Sequence, residues 1–226
     1  GDRGDALVFW DERGAQRRVS YSELTSDVSR AAQALQQLGL RAGDRAAAFI
    51  PNLPETAMFA LAALSQGIVW SSCSPDFGVD GVIDRFGQIE PKVLFVADGY
   101  LYNGKQHDVL ERVRQIAEGL PSLRKVVVVP YLDARPDVSD IPKAVLLEEW
   151  LRRHTPGEIA WAQLPFDHPV YILFTSGTTG KPKCIVHGAG GTLLAALKMY
   201  KLQFDVRPGD HFFYYTTTNW VMWNLL

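Results

Sequence analysis

The chain has 226 residues, a formal net charge of −2 at pH 7, and a composition that is 47% hydrophobic and 21% charged. These values are typical of a soluble globular domain and exclude a disordered chain, a collagen or a coiled coil. The near-zero charge argues against nucleic acid as a partner. A membrane is excluded as well, since the longest apolar run, residues 57–64, is far shorter than the roughly 20 residues of a membrane span.

The chain contains two cysteines, Cys73 and Cys184, which lie far apart in the sequence. Neither belongs to a C-x-x-C motif, so the pattern favours neither a zinc site nor a redox pair. Each is predicted to be a buried, reduced thiol. Since the sequence also lacks an N-glycosylation sequon, the expected location is the cytoplasm.

Helical and strand patterns alternate along the first half of the chain. Ser20 and Glu23 have capping-box spacing, which predicts the start of a helix, and Gly39 supplies its stop. Further helices are predicted at residues 55–66, after residue 78 up to Gln88, and at 107–118. Strands are predicted at residues 46–50, 68–72, 93–96 and 125–129.

The second half begins with a weaker pattern. Residues 130–169 contain several prolines and one predicted short helix at 146–153, and are interpreted as a connection. Beyond them we predict strands at 170–174, 184–186 and 211–215 and a helix at 192–200. Because strands that are separated by helices pair in parallel, the predicted fold class is α/β, with parallel sheets and flanking helices.

The stretch at residues 171–183, YILFTSGTTGKPK, carries the strongest chemical signal. A buried strand leads into a loop of small hydroxyl and glycine residues that ends in two lysines. Glycine allows the backbone to approach a ligand closely, and successive N–H groups in such a loop bind anions. Lysine adds a compact positive charge that suits phosphate. The pattern therefore predicts a phosphate-binding loop.

Spacing argues against three other motifs. A Walker A loop has four residues between its glycines, whereas Gly177 and Gly180 are separated by two. Residues 188–191 lack the third glycine of a dinucleotide-binding fingerprint, because Leu193 occupies that position. Phe174 stands where a nucleophile elbow around Ser176 needs glycine.

Residues 171–183 resemble the phosphate-binding signature of the adenylate-forming enzymes, which include the acyl-CoA synthetases. The resemblance covers nearly the whole chain. Residues 21–24, 43–44, 51–55 and 74–85 are similar to the N-terminal domain of the acetyl-CoA synthetase-like members. Residues 182–194 and 216–226 are most similar to members that activate acetoacetate.

The resemblance implies an acid–thiol ligase that uses ATP, Mg²⁺ and CoA. In this family a carboxylate attacks the α-phosphate of ATP, and CoA then displaces AMP from the acyl-adenylate. Acetoacetate is the expected acid, and acetate, propionate or butyrate is the alternative. A nucleotide- or acyl-binding module without catalysis is the alternative from another class. The small-molecule substrates are the only partners implied, and the oligomeric state stays open.

The resemblance also implies site residues. The ATP phosphates are expected at Thr175, Ser176, Gly177, Thr178, Thr179, Gly180 and Lys183. Trp220, Val221 and Met222 are expected to line the acyl pocket, while Trp223 is expected in the core. Ser74, Asp76 and Lys105 are expected on the CoA side, although Ser-Pro-Asp replaces the aromatic-Gly-Gly of the family there.

The chain ends in strongly apolar residues, 219–226, without a polar tail. Because a domain rarely ends in unpaired aromatic surface, residues 1–226 are expected to be an incomplete N-terminal domain that binds ATP and the acyl group. The hinge, the metal-binding acidic segment and the C-terminal domain with the catalytic lysine are expected beyond residue 226. We therefore expect no catalytic residue and no metal ligand within these 226 residues, and no complete adenylation by them alone.

Overall fold

The computed structural model describes residues 4–175 and 180–225. Its centre is a seven-stranded sheet with the strand order β11-β10-β4-β3-β5-β8-β9, in which only β11 is antiparallel to its neighbour. The seven strands are β3 (Arg45–Phe49), β4 (Val69–Cys73), β5 (Val93–Ala97), β8 (Lys125–Val129), β9 (Ala144–Leu146), β10 (Pro169–Phe174) and β11 (Cys184–Gly188). The predicted α/β class with a parallel sheet is confirmed.

Helices cover both faces of this sheet. The helices are α1 (Tyr21–Gln37), α2 (Pro54–Ser65), α3 (Val79–Ile89), α4 (Leu110–Gly119), α5 (Leu147–Leu151), α6 (Ala189–Lys198) and α7 (Val221–Leu225). Helices α1, α2 and α5 pack in one apolar cluster with Ala46, Ala48 and Phe95, and α3 and α4 pack in the other with Ala47 and Phe49. The strand residues alternate between the two clusters, as the pleat of a strand requires.

The capping box predicted at Ser20 is present. The Ser20 hydroxyl accepts from the Glu23 N–H, and the Glu23 carboxylate accepts from the Ser20 N–H at 2.8 Å. These bonds satisfy donors that the first turn of α1 leaves free. Helix α1 therefore begins at the residue that follows the cap.

Two hairpins lie outside the predicted elements. Strands β1 (Asp5–Asp11) and β2 (Gly14–Ser20) form the first, and β6 (Gly99–Tyr102) and β7 (Lys105–Asp108) form the second. The helix predicted at 107–118 consequently begins only at Leu110. Asn103 and Gly104 both have positive φ, as a two-residue hairpin turn demands, so this Asn-Gly pair was the signal that the helical interpretation overlooked.

Three expectations for the second half of the chain change as well. Residues 130–169 are more than a connection, because they supply the edge strand β9. The helix predicted at 192–200 begins earlier, at Ala189, and passes into a π-helical turn, Met199–Gln203. The strand predicted at 211–215 is wrong, because this segment pairs with no strand and the ring of Phe212 packs against Tyr200 and Phe204 instead.

The sheet has a topological switch point at β3. The chain leaves β3 through α2 on one face to reach β4, and it leaves β4 through α3 on the other face to reach β5. In open α/β sheets, ligands bind at the carboxyl ends of the strands beside such a point. Among the described helices, none is long and apolar enough to cross a bilayer.

Candidate functional site

Three of the segments named in the sequence analysis meet at the carboxyl edge of the sheet. Residue 175 begins the phosphate-binding loop directly after β10, and the loop at residues 74–78 follows β4. Residues 217–225 lie against the ends of β3 and β4 through two buried hydrogen bonds. Because β10, β4 and β3 are neighbours, about 10 Å of sheet separates the first segment from the last.

The described part of the phosphate-binding loop is its two ends. The N–H of Thr175 donates to the carbonyl of Lys183 at 3.1 Å, which extends the β10–β11 pairing by one step. Gly180 has a φ of +100°, a conformation that strains other residues. The Lys183 side chain is exposed and forms no ion pair within the described ranges. The other four predicted residues, Ser176, Gly177, Thr178 and Thr179, lie outside the described residues.

Helix α3 holds the exit of this loop. The side-chain amide of Gln88 donates to the carbonyl of Pro182 at 2.9 Å, and the Cys184 thiol lies 3.7 Å from Gln88 Oε1. Lys181 Nζ lies 3.7 Å from Asp84 Oδ1, one helical turn before Gln88. Lys181 is thus within ion-pair distance of a carboxylate, whereas no carboxylate of the described ranges pairs with Lys183.

The two cysteines differ in environment. Cys73 is buried at the end of β4, as predicted, and burial raises the pKa of its thiol to about 12. Cys184 is exposed, so the prediction that it is buried is wrong. The reason is its position on β11, the outer strand of the sheet, where Gln88 of α3 touches the thiol but leaves the residue exposed.

We expect a neutral alkylating reagent such as iodoacetamide to modify one thiol per native chain, at Cys184. Cys73 is fully buried, so the reagent has no access to its thiol in the native chain, whereas Cys184 is exposed. Intact-mass measurement on the wild-type chain and on Cys184→Ser checks this result. Rapid labelling of native Cys184→Ser would contradict it, and labelling of that variant in denaturant is the positive control.

The loop at residues 74–78 is fixed by an arginine from α4. The Arg112 guanidinium donates to the carbonyls of Pro75 and Phe77 at 2.9 and 3.2 Å. The side chain of Asp76 is exposed and Ser74 is half-buried. Their assignment to CoA stays a prediction.

Lys105 lies on β7, in the β6–β7 hairpin, and is therefore on a different segment from Ser74 and Asp76. The turn before it is held by Glu12, whose carboxylate oxygens accept from the N–H groups of Asn103 and Gly104, both at 2.6 Å. The Lys105 side chain is exposed. Because this hairpin follows β5, it lies at the same carboxyl edge of the sheet as the 74–78 loop. The two segments are held by different residues, the hairpin turn by Glu12 and the 74–78 loop by Arg112.

The three predicted acyl-pocket residues occupy the start of α7. Trp220 is 62% exposed and Val221 is 43% exposed, while Met222 is half-buried. Trp223, expected in the core, packs against the cluster under α1 and α2, and its ring stacks on Trp70 with a centroid distance of 6.4 Å. Two of the three predicted acyl-pocket residues, Trp220 and Val221, are therefore exposed near the ends of β3 and β4.

Sequence reasoning missed four residues that hold these segments in place, namely Asn52, Gln88, Arg112 and Thr218. Asn52 had a usable signal, because it follows the end of a predicted strand, where α/β sheets place their ligand-binding loops. Thr218 is one of three consecutive threonines, and nothing in that run distinguishes it. Gln88 and Arg112 bind carbonyls that are 94 and 37 residues away in the chain, and a local sequence pattern does not show such contacts.

Comparison with known proteins gives a consistent result. The profile of a family described as AMP-binding enzyme matches residues 2–223. An acetoacetyl-coenzyme A synthetase from Rhizobium meliloti is 50% identical over 224 residues, which are 99% of this chain and 34% of that protein. A malonamoyl-CoA synthetase from Penicillium aethiopicum is 37% identical over 231 residues, covering 100% of this chain and 32% of that protein.

A solved structure, an acetoacetyl-CoA synthetase from Streptomyces lividans, matches the whole chain with a TM-score of 0.91 and 42% identity. The match covers 34% of that structure. The chain thus spans about one third of the length of the relatives and of the structure that it matches.

Proposed function

This chain belongs to the AMP-binding enzyme family, and from that premise we propose that it serves an acid–thiol ligase that converts acetoacetate and CoA to acetoacetyl-CoA with ATP. One observation carries the proposal. The phosphate-binding loop, the 74–78 loop and the acyl segment follow or touch three neighbouring strands at one sheet edge. That arrangement can hold a triphosphate, an acid and a thiol within reach of one another.

The proposed reaction has two steps. In the first, a carboxylate oxygen of the acid forms a bond to the α-phosphorus, and the bond from that phosphorus to the pyrophosphate oxygen breaks. In the second, the CoA sulfur bonds to the acyl carbon, AMP leaves with the carboxylate oxygen, and the thiol proton passes to a base or to solvent. The chain's own contribution is to orient the acid and to neutralise charge that moves onto pyrophosphate.

Lys183 and the backbone N–H groups of residues 176–181 are proposed to neutralise the charge that moves onto pyrophosphate. Trp220, Val221 and Met222 are proposed to bound the acid. The described residues contain no group of three or more metal-binding side chains. Near the loop, Asp84 is already paired with Lys181. We therefore propose that Mg²⁺ arrives with ATP as part of that substrate.

The choice of acid rests on the relatives. Acetoacetyl-CoA and malonamoyl-CoA are the products in their names. Both acyl groups carry a carbonyl at carbon 3, and a methyl in one replaces an amino group in the other. We propose a short 3-oxo acid as the substrate class, with acetoacetate as the preferred member. The cytoplasm is the proposed location, which suits two free thiols.

The test is carboxylate-dependent ATP–pyrophosphate exchange, measured on a protein of the relatives' length that contains these residues. Acetoacetate, acetate, propionate and butyrate are compared at equal concentrations. Exchange that is strongest with acetoacetate supports both the reaction and the acid. Exchange that is strongest with acetate or propionate retains the ligase but contradicts the acid, and no exchange with any of them favours a binding module without catalysis.

Trp220→Gly is expected to broaden the acids accepted toward longer chains. The indole is 62% exposed just before α7. In the proposed pocket it would occupy space that a longer acyl group needs. We expect kcat/KM for hexanoate to rise about tenfold relative to acetoacetate, within the range that pocket volume commonly produces. Trp161→Gly, at a similarly exposed tryptophan on another segment, is the control. An unchanged preference in Trp220→Gly would assign Trp220 a packing role.

A further inference from the structure

The segment that carries Trp220 is attached to the sheet edge by one buried threonine. The Thr218 hydroxyl donates to the carbonyl of Ile50, just after β3, at 3.0 Å. The Thr218 carbonyl accepts from the Ser72 hydroxyl, near the end of β4, at 2.5 Å. Both Thr218 and Ser72 are buried. A single residue thus bridges the ends of the neighbouring strands β3 and β4.

A second attachment lies on the other side of the three acyl-pocket residues. The indole N–H of Trp223 donates to Asn52 Oδ1 at 2.8 Å, and the indole ring stacks on the buried Trp70. Asn52 belongs to the turn between β3 and α2. Both attachments therefore lead to the same sheet edge, one before and one after residues 220–222.

The residues between the attachments differ in packing: Trp220 is 62% exposed and Val221 is 43% exposed, whereas Met222 is half-buried. The Trp220 carbonyl accepts from the Asn224 amide at 3.0 Å, and the far end of α7 is held by the Tyr200 hydroxyl, which donates to the Leu225 carbonyl at 2.6 Å. Thr218 and Trp223 are the two residues that attach this segment directly to the ends of β3 and β4. A shift at either attachment moves the wall of the pocket.

We propose that Thr218, with its partner Ser72, and Trp223, with its partner Asn52, are positioning residues that determine which acids the site accepts. The inference rests on the proposed function, because it needs an acid in the pocket. It differs from that proposal in assigning selectivity to residues that touch no substrate. Loss of an attachment is expected to reduce the preference for acetoacetate over other acids. It is expected to leave ATP binding by the phosphate-binding loop, which follows β10, unaffected.

The test uses ATP–pyrophosphate exchange on the protein of the relatives' length, and the measured quantity is the ratio of kcat/KM for acetoacetate to that for butyrate. Thr218→Val keeps the shape and removes the hydroxyl, and Trp223→Phe keeps a stacking ring and removes the N–H. We expect each variant to lower the ratio about tenfold, because a small displacement of residues 220–222 changes how the acid is held near the reacting group. KM for ATP should stay within about twofold of wild type.

Two conservative variants and one matched control sharpen the result. Thr218→Ser and Asn52→Asp retain the donor and the acceptor, so both should keep the wild-type ratio. The control Thr25→Val removes a threonine hydroxyl that donates to the Tyr21 carbonyl on the exposed face of α1, and it should also keep the wild-type ratio. Since Thr218→Val orphans a buried carbonyl and can impair folding, Trp223→Phe provides an independent measurement.

The outcomes separate the two proposals. Absence of exchange in the wild-type protein would overturn the proposed function. Normal wild-type exchange with an unchanged ratio in Trp223→Phe and in folded Thr218→Val would overturn only the positioning role. A parallel rise in KM for ATP and for both acids would indicate general damage to the fold and would equally overturn it.

Discussion

Lys183→Ala is expected to lower kcat/KM for ATP about a hundredfold, the loss that follows removal of one preorganised group that stabilises developing charge. The Lys183 backbone is held by the Thr175 N–H, while its side chain is exposed and forms no ion pair within the described ranges. The ammonium group is therefore free to meet a phosphate. KM for the carboxylic acid should change little, because residues 220–222 lie above β3 and β4.

Two other lysines make this prediction specific. Lys181→Ala removes a charge that Asp84 already engages, so we expect a smaller loss. Lys201→Ala, at an exposed position in the π-helical turn, should have no effect. Steady-state ATP–pyrophosphate exchange with ATP varied provides the measurement. ATP dependence that is unchanged in Lys183→Ala and lost in Lys181→Ala would reverse the roles we assign to the two residues.

Asp98→Ala is expected to reduce the free energy of unfolding by about 3 kcal/mol, since hydrogen bonds to a charged group contribute about 1.5–3 kcal/mol and this carboxylate accepts several of them. Asp98 is buried directly after β5. Its carboxylate accepts from the N–H groups of Tyr131, Leu132 and Asp133 at 2.8 to 3.1 Å. It thereby joins the carboxyl ends of β5 and β8.

Thermal or urea unfolding measures this loss. For a chain of this size the expected fall in Tm is about 6–12 °C. Asp98→Asn should lower the free energy of unfolding by a large part of the same amount. The amide has one acceptor oxygen, and its NH₂ group would meet backbone N–H donors in place of the second carboxylate oxygen. Asp137→Ala is the control, because that exposed carboxylate accepts from the N–H of Ser139 in a local turn. Equal stability of Asp98→Ala and Asp137→Ala would show that the buried bonds contribute nothing net.

Local patterns predicted most of the sheet and its helices. The capping box at Ser20, the strand at 125–129 and the strand after residue 169 were found because each signal lies within a few residues of the element that it specifies. The strand expected at 211–215 failed because a strand exists only with a paired neighbour, and the sequence of one segment does not contain its partner. Similarly, β9 has too short a pattern to be recognised without β8 beside it.

By itself, the sequence determined the α/β class and the family resemblance and predicted the phosphate-binding loop, because periodicity, small residues and lysine spacing are local properties. Only the tertiary structure decided which residues hold the site together. Thr218 meets Ile50 across 168 positions of chain, Trp223 meets Asn52 across 171, and Gln88 meets Pro182 across 94. Such contacts follow from the strand order β10-β4-β3, and that order emerges only when all the strands compete for neighbours in one sheet.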